Sequence, residues 1–395
     1  MADRRLVLGL CVLAYFGTRL GQLVISPLVP DIRAAFGVST GAVGAALSGM
    51  WAAYALVQFP AGTLGDRFGE RSVVLVALAS AAAASLLLAG APTFPAFLAV
   101  LVAFGAGVGL YYNVATALLA REFEGVGRAI GVHRVGGVTA GLVAPVAVTA
   151  VSLRAGWRSG LLLGAAVAAP VLVAFRWGVP STPPTRPGAA LRDRFDAALA
   201  ADLLSRPSLA YPTALATLGE FVGQATVSFL PAFLVGARGL PLPRAGLLFS
   251  IYFLALGIAQ PLSGWLSDRI GRDAATGAAV LLGAVGYALL AAGPADLLAA
   301  GVVLAGYSRS WSAPIQARVM DHLPAAERGA GFGLVRTVYV LLGALGSVVT
   351  GALVDAAGWR PAFGLLGGLL ALAALAIVLV GAGRLLRDAR SRRNG

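Results

Sequence analysis

The sequence predicts an all-α polytopic membrane protein: twelve transmembrane helices in two pseudo-symmetric six-helix halves. Three observations carry that expectation. The 395 residues are 58% hydrophobic and 12% charged, with a mean hydropathy of +0.85, whereas soluble domains are about 25% charged. A bilayer core of roughly 30 Å takes about 20 helical residues per crossing, so the chain has room for about twelve crossings and one longer insertion. Sliding the chain by 202 positions aligns residues 17–160 with 219–362 without a gap, and roughly 35 of the 144 pairs are identical. Among them Gly17, Gly21, Gln22 and Ser26 fall on Gly219, Gly223, Gln224 and Ser228, Gln58 falls on Gln260, and Gly156-Trp157-Arg158 falls on Gly358-Trp359-Arg360. Chance matches in Ala/Gly/Leu-rich sequence do not place Trp, Gln, Asp and Arg at one offset, so the halves are parallel repeats.

Span one, near 6–29, follows Arg4 and Arg5 and runs about 24 residues without a small-residue cleavage site, which reads as a retained helix with its N-terminus inside. Spans two to six follow near 41–62, 72–92, 96–119, 129–151 and 159–177, each long enough to cross, and residues 1–177 make the first half. Residues 178–210 break the pattern. Pro180, Pro183, Pro184 and Pro187 precede Arg192, Asp193, Arg194 and Asp196 and an Ala-rich stretch, as in a cytoplasmic linker with a short amphipathic surface helix. Spans seven to twelve lie near 211–235, 245–265, 274–292, 297–319, 331–353 and 361–382, giving a second half over 211–383 and a basic cytoplasmic tail at 384–395.

The 30 basic residues are all arginine, with a net charge of +13. On this topology about twenty fall on the side of the N-terminus, about six on the other side and about four within spans. That bias places both termini and the linker in the cytoplasm and the protein in the cell membrane. Without lysine there is no Walker lysine, so a self-contained ATP-driven pump is not expected, and Schiff-base or pyridoxal chemistry is excluded. Gradients must drive any pumping. Cys11, His133 and His322 are too few and too scattered for a disulfide framework or a zinc site, so neither metal nor cofactor is expected. The arginines are spread between apolar spans, which makes the lipid bilayer the partner and not nucleic acid.

Span two ends in Gly62-Thr-Leu-Gly-Asp66-Arg67-Phe-Gly69-Glu-Arg71, and span eight in Gly264-Trp-Leu-Ser-Asp268-Arg269-Ile-Gly271-Arg272. This loop, in both halves of a six-plus-six protein, resembles the signature loop of the major facilitator superfamily of secondary transporters. The resemblance covers nearly the whole chain and implies that fold, a small-molecule substrate, a functional monomer, and two halves rocking about a central site. It also implies a gate. Asp66 would accept hydrogen bonds from the start of span eleven and lock the outward-facing state, Asp268 would do the same against span five, and Arg134 and Arg336 would join from inside those spans. Gly137-x-x-x-Gly141-x-x-Ala144-Pro145 resembles the Gly-Pro motif of antiporters in this superfamily, with Ala144 in place of its glycine. Span four, which bears an arginine in many proton-coupled members, carries Tyr111, Tyr112, Asn113 and Thr116, with Arg121 at its end.

An ionisable side chain inside a span is costly and usually faces a cavity. Arg19, Glu220 and Arg309 lie roughly 14 to 20 Å from the ends of spans one, seven and ten. At helical spacing they share faces with Gln22 and Ser26, with Gln224 and Ser228, and with Ser312 and Gln316. The resemblance implies that spans one, four, seven and ten line the cavity, so Tyr112 and Asn113 join these residues in the expected substrate site. Guanidinium stays charged and grips oxyanions with paired N–H groups. The expected function is secondary transport of a small organic or inorganic anion, coupled to protons or by exchange. Glu220 either pairs with one arginine and leaves the other to the substrate, or is protonated during the cycle and serves as the coupling group. A fixed Arg19–Glu220 pair joining spans one and seven is the purely structural alternative. Efflux of hydrophobic compounds is the rival transport reading, and a non-transporting sensor the rival of another class. No catalytic constellation occurs at one depth, so no enzymatic activity is expected.

Overall fold

In hydrocarbon a backbone amide finds no water, so each span must satisfy its own N–H and C=O groups, and a helix does this. The computed structural model describes residues 4–188, 202, 205–324 and 328–391, and the regular structure among them is helical throughout. The expected linker helix around Arg192–Asp196 lies outside the described residues, as do the last four residues. Eleven described helices are long and apolar enough to cross a membrane. Those of the first half are Arg4–Phe36, which bends through a 3-10 turn at Ser26–Leu28, then Thr40–Phe68, Glu70–Gly90, Phe94–Glu122, Val126–Ala155 and Trp157–Gly178. The second half contains Pro207–Gly236, Leu242–Ile270, Arg272–Ala292, Arg328–Ala357 and Trp359–Ser391.

The expected tenth span is the exception to the count of twelve. It is built as Leu298–Ser308, a 3-10 turn Arg309–Trp311, and Ser312–Asp321. Its second part carries Gln316, Arg318 and Asp321, too polar for contact with lipid. A helix broken at membrane depth is tolerated where protein or a cavity covers it.

The repeat seen in sequence extends to backbone conformation. Six glycines have positive φ: Gly37 (62°), Gly69 (81°), Gly156 (81°), Gly239 (66°), Gly271 (93°) and Gly358 (88°). They form three pairs, 37 with 239, 69 with 271 and 156 with 358, each 202 apart. A Cβ is disfavoured in this region of φ, so glycine marks the same hairpin turns in both halves. Helices also approach closely through small residues. A Cβ on Gly105 would stand 2.1 Å from the Met50 carbonyl oxygen and one on Gly109 2.7 Å from that of Tyr54, so these glycines let span four meet span two backbone to backbone.

The halves are stitched together from mid-depth towards the end remote from the linker. Ser48 Oγ donates to the Ala344 carbonyl at 2.6 Å, and Ser250 Oγ donates to the Leu142 carbonyl at 2.8 Å. Both partners of one bond lie 202 positions from those of the other, so the two bonds are related by the pseudo-twofold. Ser26 Oγ reaches the carbonyl of its own counterpart, Ser228, at 3.1 Å. The link made by Asp355 has no counterpart. Asp355, at the end of span eleven, accepts from Thr40 N at 2.9 Å and Gly41 N at 2.6 Å, capping the start of span two, whereas the equivalent of Asp355 is Leu153. A carboxylate on a helix N-terminus satisfies otherwise open N–H groups and opposes the helix dipole.

Asp355→Ala removes a cap worth about 0.5–2 kcal/mol, and the remote end should loosen. With spin labels at the exposed Ala155 and Ala292 in a Cys11→Ala background, the inter-label distance distribution is expected to shift to longer values. An unchanged distribution would exclude Asp355 as a latch.

Candidate functional site

Among the described residues, the ion pair in the middle of the spans belongs to the second half. Arg309 Nη2 donates to Glu220 Oε1 at 2.9 Å, and Gln224 Nε2, one turn on, donates to the same oxygen at 2.8 Å. The Glu220 side chain is 10% exposed and that of Arg309 20%, burial at which an unpaired carboxylate would cost several kcal/mol. Glycines make the slot. A Cβ on Gly223 would stand 1.8 Å from Arg309 Nη1, and one on Gly343 would stand 2.6 Å from Glu220 Cγ. The expected alternative of an Arg19–Glu220 pair is therefore not what forms. Arg309 sits on the 3-10 turn beside span seven, within the same half as Glu220, and reaches the carboxylate first.

The first half presents Arg19 differently. Its Nη1 donates to Gln22 Oε1 at 2.8 Å, and its guanidinium lies 5.6 Å from the Trp51 ring centroid. That bond orients the Gln22 amide, whose Nε2 is buried without a partner. Among the described residues no carboxylate lies within ion-pair distance of Arg19. Arg19, Tyr112, Asn113, Arg309 and Ser312 are all partly exposed at membrane depth. Charged groups in that setting face a space between helices and not lipid.

The other expected lining residues are tied into the scaffold. Asn113 Nδ2 donates to the Gln58 carbonyl at 2.7 Å, and Ser312 Oγ accepts from Gln260 Nε2 at 3.0 Å. Gln58 and Gln260 are repeat counterparts, but the first accepts through its backbone carbonyl and the second donates through its side-chain amide, to partners that are not equivalent. Tyr112 stacks with His133 at 5.7 Å and packs on Tyr15 at 5.4 Å.

The loop residues expected to gate lie at the linker end. The Asp66 carbonyl accepts from the N–H groups of Thr185 and Arg186, both at 2.9 Å, and the Arg71 side chain donates to the Arg176 carbonyl. Arg67 lies over Phe68 and Arg269 over Trp265, while Arg272 bonds Asp268 and Asp321. Gly69 and Gly271 take the turn conformation described above, and a Cβ on Gly62 would meet nothing within 4 Å. Gly264 is nearly as open, its nearest neighbour being Ala313 Cβ at 4.0 Å. Arg134 is exposed. Its counterpart Arg336 instead reaches inward, 5.7 Å from the centroid of Tyr112 in the other half.

Sequence reasoning passed over several of these residues. Trp51 and Tyr54, on span two, stand edge to face at 5.8 Å beneath Arg19, and their i,i+3 spacing was a readable signal of one face. Ser48 and Ser250 were readable as polar identities at the repeat offset. His133 was not. Its Nε2 lies 3.0 Å from the Tyr111 hydroxyl, which donates to the Cys11 carbonyl at 2.5 Å, so spans one, four and five are joined by a buried polar chain.

Proteins similar to this chain in sequence and in fold include transporters. The sequence profile of the Major Facilitator Superfamily matches residues 11–244 and 213–394. A probable sulfoacetate transporter of Cupriavidus necator is 24% identical over 410 residues, covering 95% of this chain and 94% of that protein. A probable nitrate/nitrite antiporter of Thermus thermophilus is 30% identical over 292 residues, 68% of this chain and 62% of that protein. Among solved structures, a bacterial homologue of the human lysosomal transporter Spinster, inward-facing and unoccupied, superposes with a TM-score of 0.82 at 16% identity, covering 98% of each chain. With the family's sequence pattern spread over both six-helix halves and its fold reproduced along nearly the whole length, the chain belongs to the major facilitator superfamily and is a secondary transporter of that type.

Proposed function

We propose that this transporter carries a small organic or inorganic anion, bound at mid-depth by Arg19. What supports the reading is the engagement of Glu220 by Arg309, which leaves Arg19 facing the space between the halves beside an amide. The buried Gln22 Nε2 is a second donor at the same place. An unmade buried hydrogen bond costs about 1–3 kcal/mol, which an arriving anionic oxygen would relieve. Two relatives are named for anions, sulfoacetate and nitrate/nitrite.

Glu220 serves in this reading as the coupling group. Protonation would weaken its hold on Arg309 and free a second guanidinium, so cargo and proton occupancy become linked. The arginine bias of the loops puts the linker end in the cytoplasm. The Asp66 and Asp268 loops then close that end when the halves rock the other way, with Arg134 on span five.

Arg19→Ala should lower anion counterflow in proteoliposomes at least about tenfold, the worth of one charge-assisted contact. Flux equal to the parent protein would overturn the anion reading. Glu220→Gln keeps the side-chain shape and removes the titrating group. It is expected to preserve exchange of labelled for unlabelled anion while abolishing the response to an imposed pH gradient, and an undiminished response would remove Glu220 from the coupling role.

A further inference from the structure

We propose that the cargo is a short organic dianion held by one arginine from each half, Arg19 of the first and Arg336 of the second. The inference rests on the anion reading and extends it to a second charged group on the cargo. Arg336 lies on span eleven, whose pattern had suggested a gate. Its guanidinium instead stands over Tyr112 of span four, across the boundary between the halves. Its charge acts on the tyrosines Tyr339, Tyr54, Tyr112 and Tyr15. Among the described residues Arg336 makes no ion pair.

Arg19 lies over Trp51, which stands edge to face with Tyr54 at 5.8 Å, and the charges of Arg19 and Arg336 both act on Tyr54. Glu220 offsets Arg309, and among the described residues neither Arg19 nor Arg336 forms an ion pair, which leaves one such positive charge on each half. A monoanion answers one of them. Two acidic groups on a short carbon skeleton answer both, and the faces of Trp51, Tyr54 and Tyr112 offer that skeleton an apolar wall. Arg19 with the Gln22 amide receives one acidic group, and Arg336 receives the other. The empty site sets like charges on opposing halves. The loaded site replaces that repulsion with a bridge, and occupancy thereby favours drawing the halves together around the cargo.

The test is calorimetric titration of the purified protein in lipid nanodiscs at constant ionic strength and near-neutral pH. The probes are malonate and sulfoacetate against acetate and methanesulfonate. Each dianion should bind about ten- to a hundredfold tighter than its monoanionic counterpart. Arg336→Gln should erase that advantage while leaving acetate affinity in place, which also reports an intact fold, and Arg336→Lys should recover part of it. An undiminished dianion advantage in Arg336→Gln, or equal affinities in the parent protein, would overturn the bridge and leave the anion reading standing. Absence of binding by all four probes would overturn both.

Discussion

Glu220 is the carboxylate within bonding distance of the mid-depth arginines, and it is committed to Arg309. Much of the site depends on that commitment. A low-dielectric setting does not tolerate a bare carboxylate, so the pair forms wherever a guanidinium can reach, and Gly223 and Gly343 leave the room that lets Arg309 do so. The consequence falls on the other two arginines, one in each half. Arg19 and Arg336 are held by amide and aromatic faces, which position a guanidinium without neutralising it. A space lined in this way attracts negative charge.

Around the site the scaffold is symmetric, and inside the site it is not. The turn glycines and the Ser48 and Ser250 hydrogen bonds recur at one offset. The counterparts of Glu220 and Arg309 are Thr18 and Gly107, and that of Arg19 is Phe221. A twofold frame lets two like bodies rock on matched contacts, whereas a chemically unsymmetric solute requires unlike groups on the two sides. Asp355 breaks the symmetry at the remote end as well, adding a carboxylate cap to one of two otherwise equivalent contacts.

Composition and repeat were enough to read the membrane class, the two halves and the depth of Arg19, Glu220 and Arg309, because the bilayer imposes a length on every span and a cost on every charge within it. The same reasoning expected a tenth continuous crossing, and there the polar run from Ser308 to Ser312 gives a turn in place of a straight helix. Partner choice was less legible. Periodicity places a side chain on a face, and it does not say which of three arginines reaches one carboxylate across a helix interface.

By itself the sequence determined that this chain crosses a membrane as two related halves, and it placed charge in the middle of three spans. The tertiary structure alone decided that Glu220 belongs to Arg309, that Arg336 turns inward to Tyr112, and that the halves are fastened by Ser48, Ser250 and Asp355. The physical reason is range. Hydropathy and repeats are properties of one segment or of a fixed offset, whereas an ion pair or an inter-half hydrogen bond is settled by a few tenths of an ångström between segments far apart in the chain.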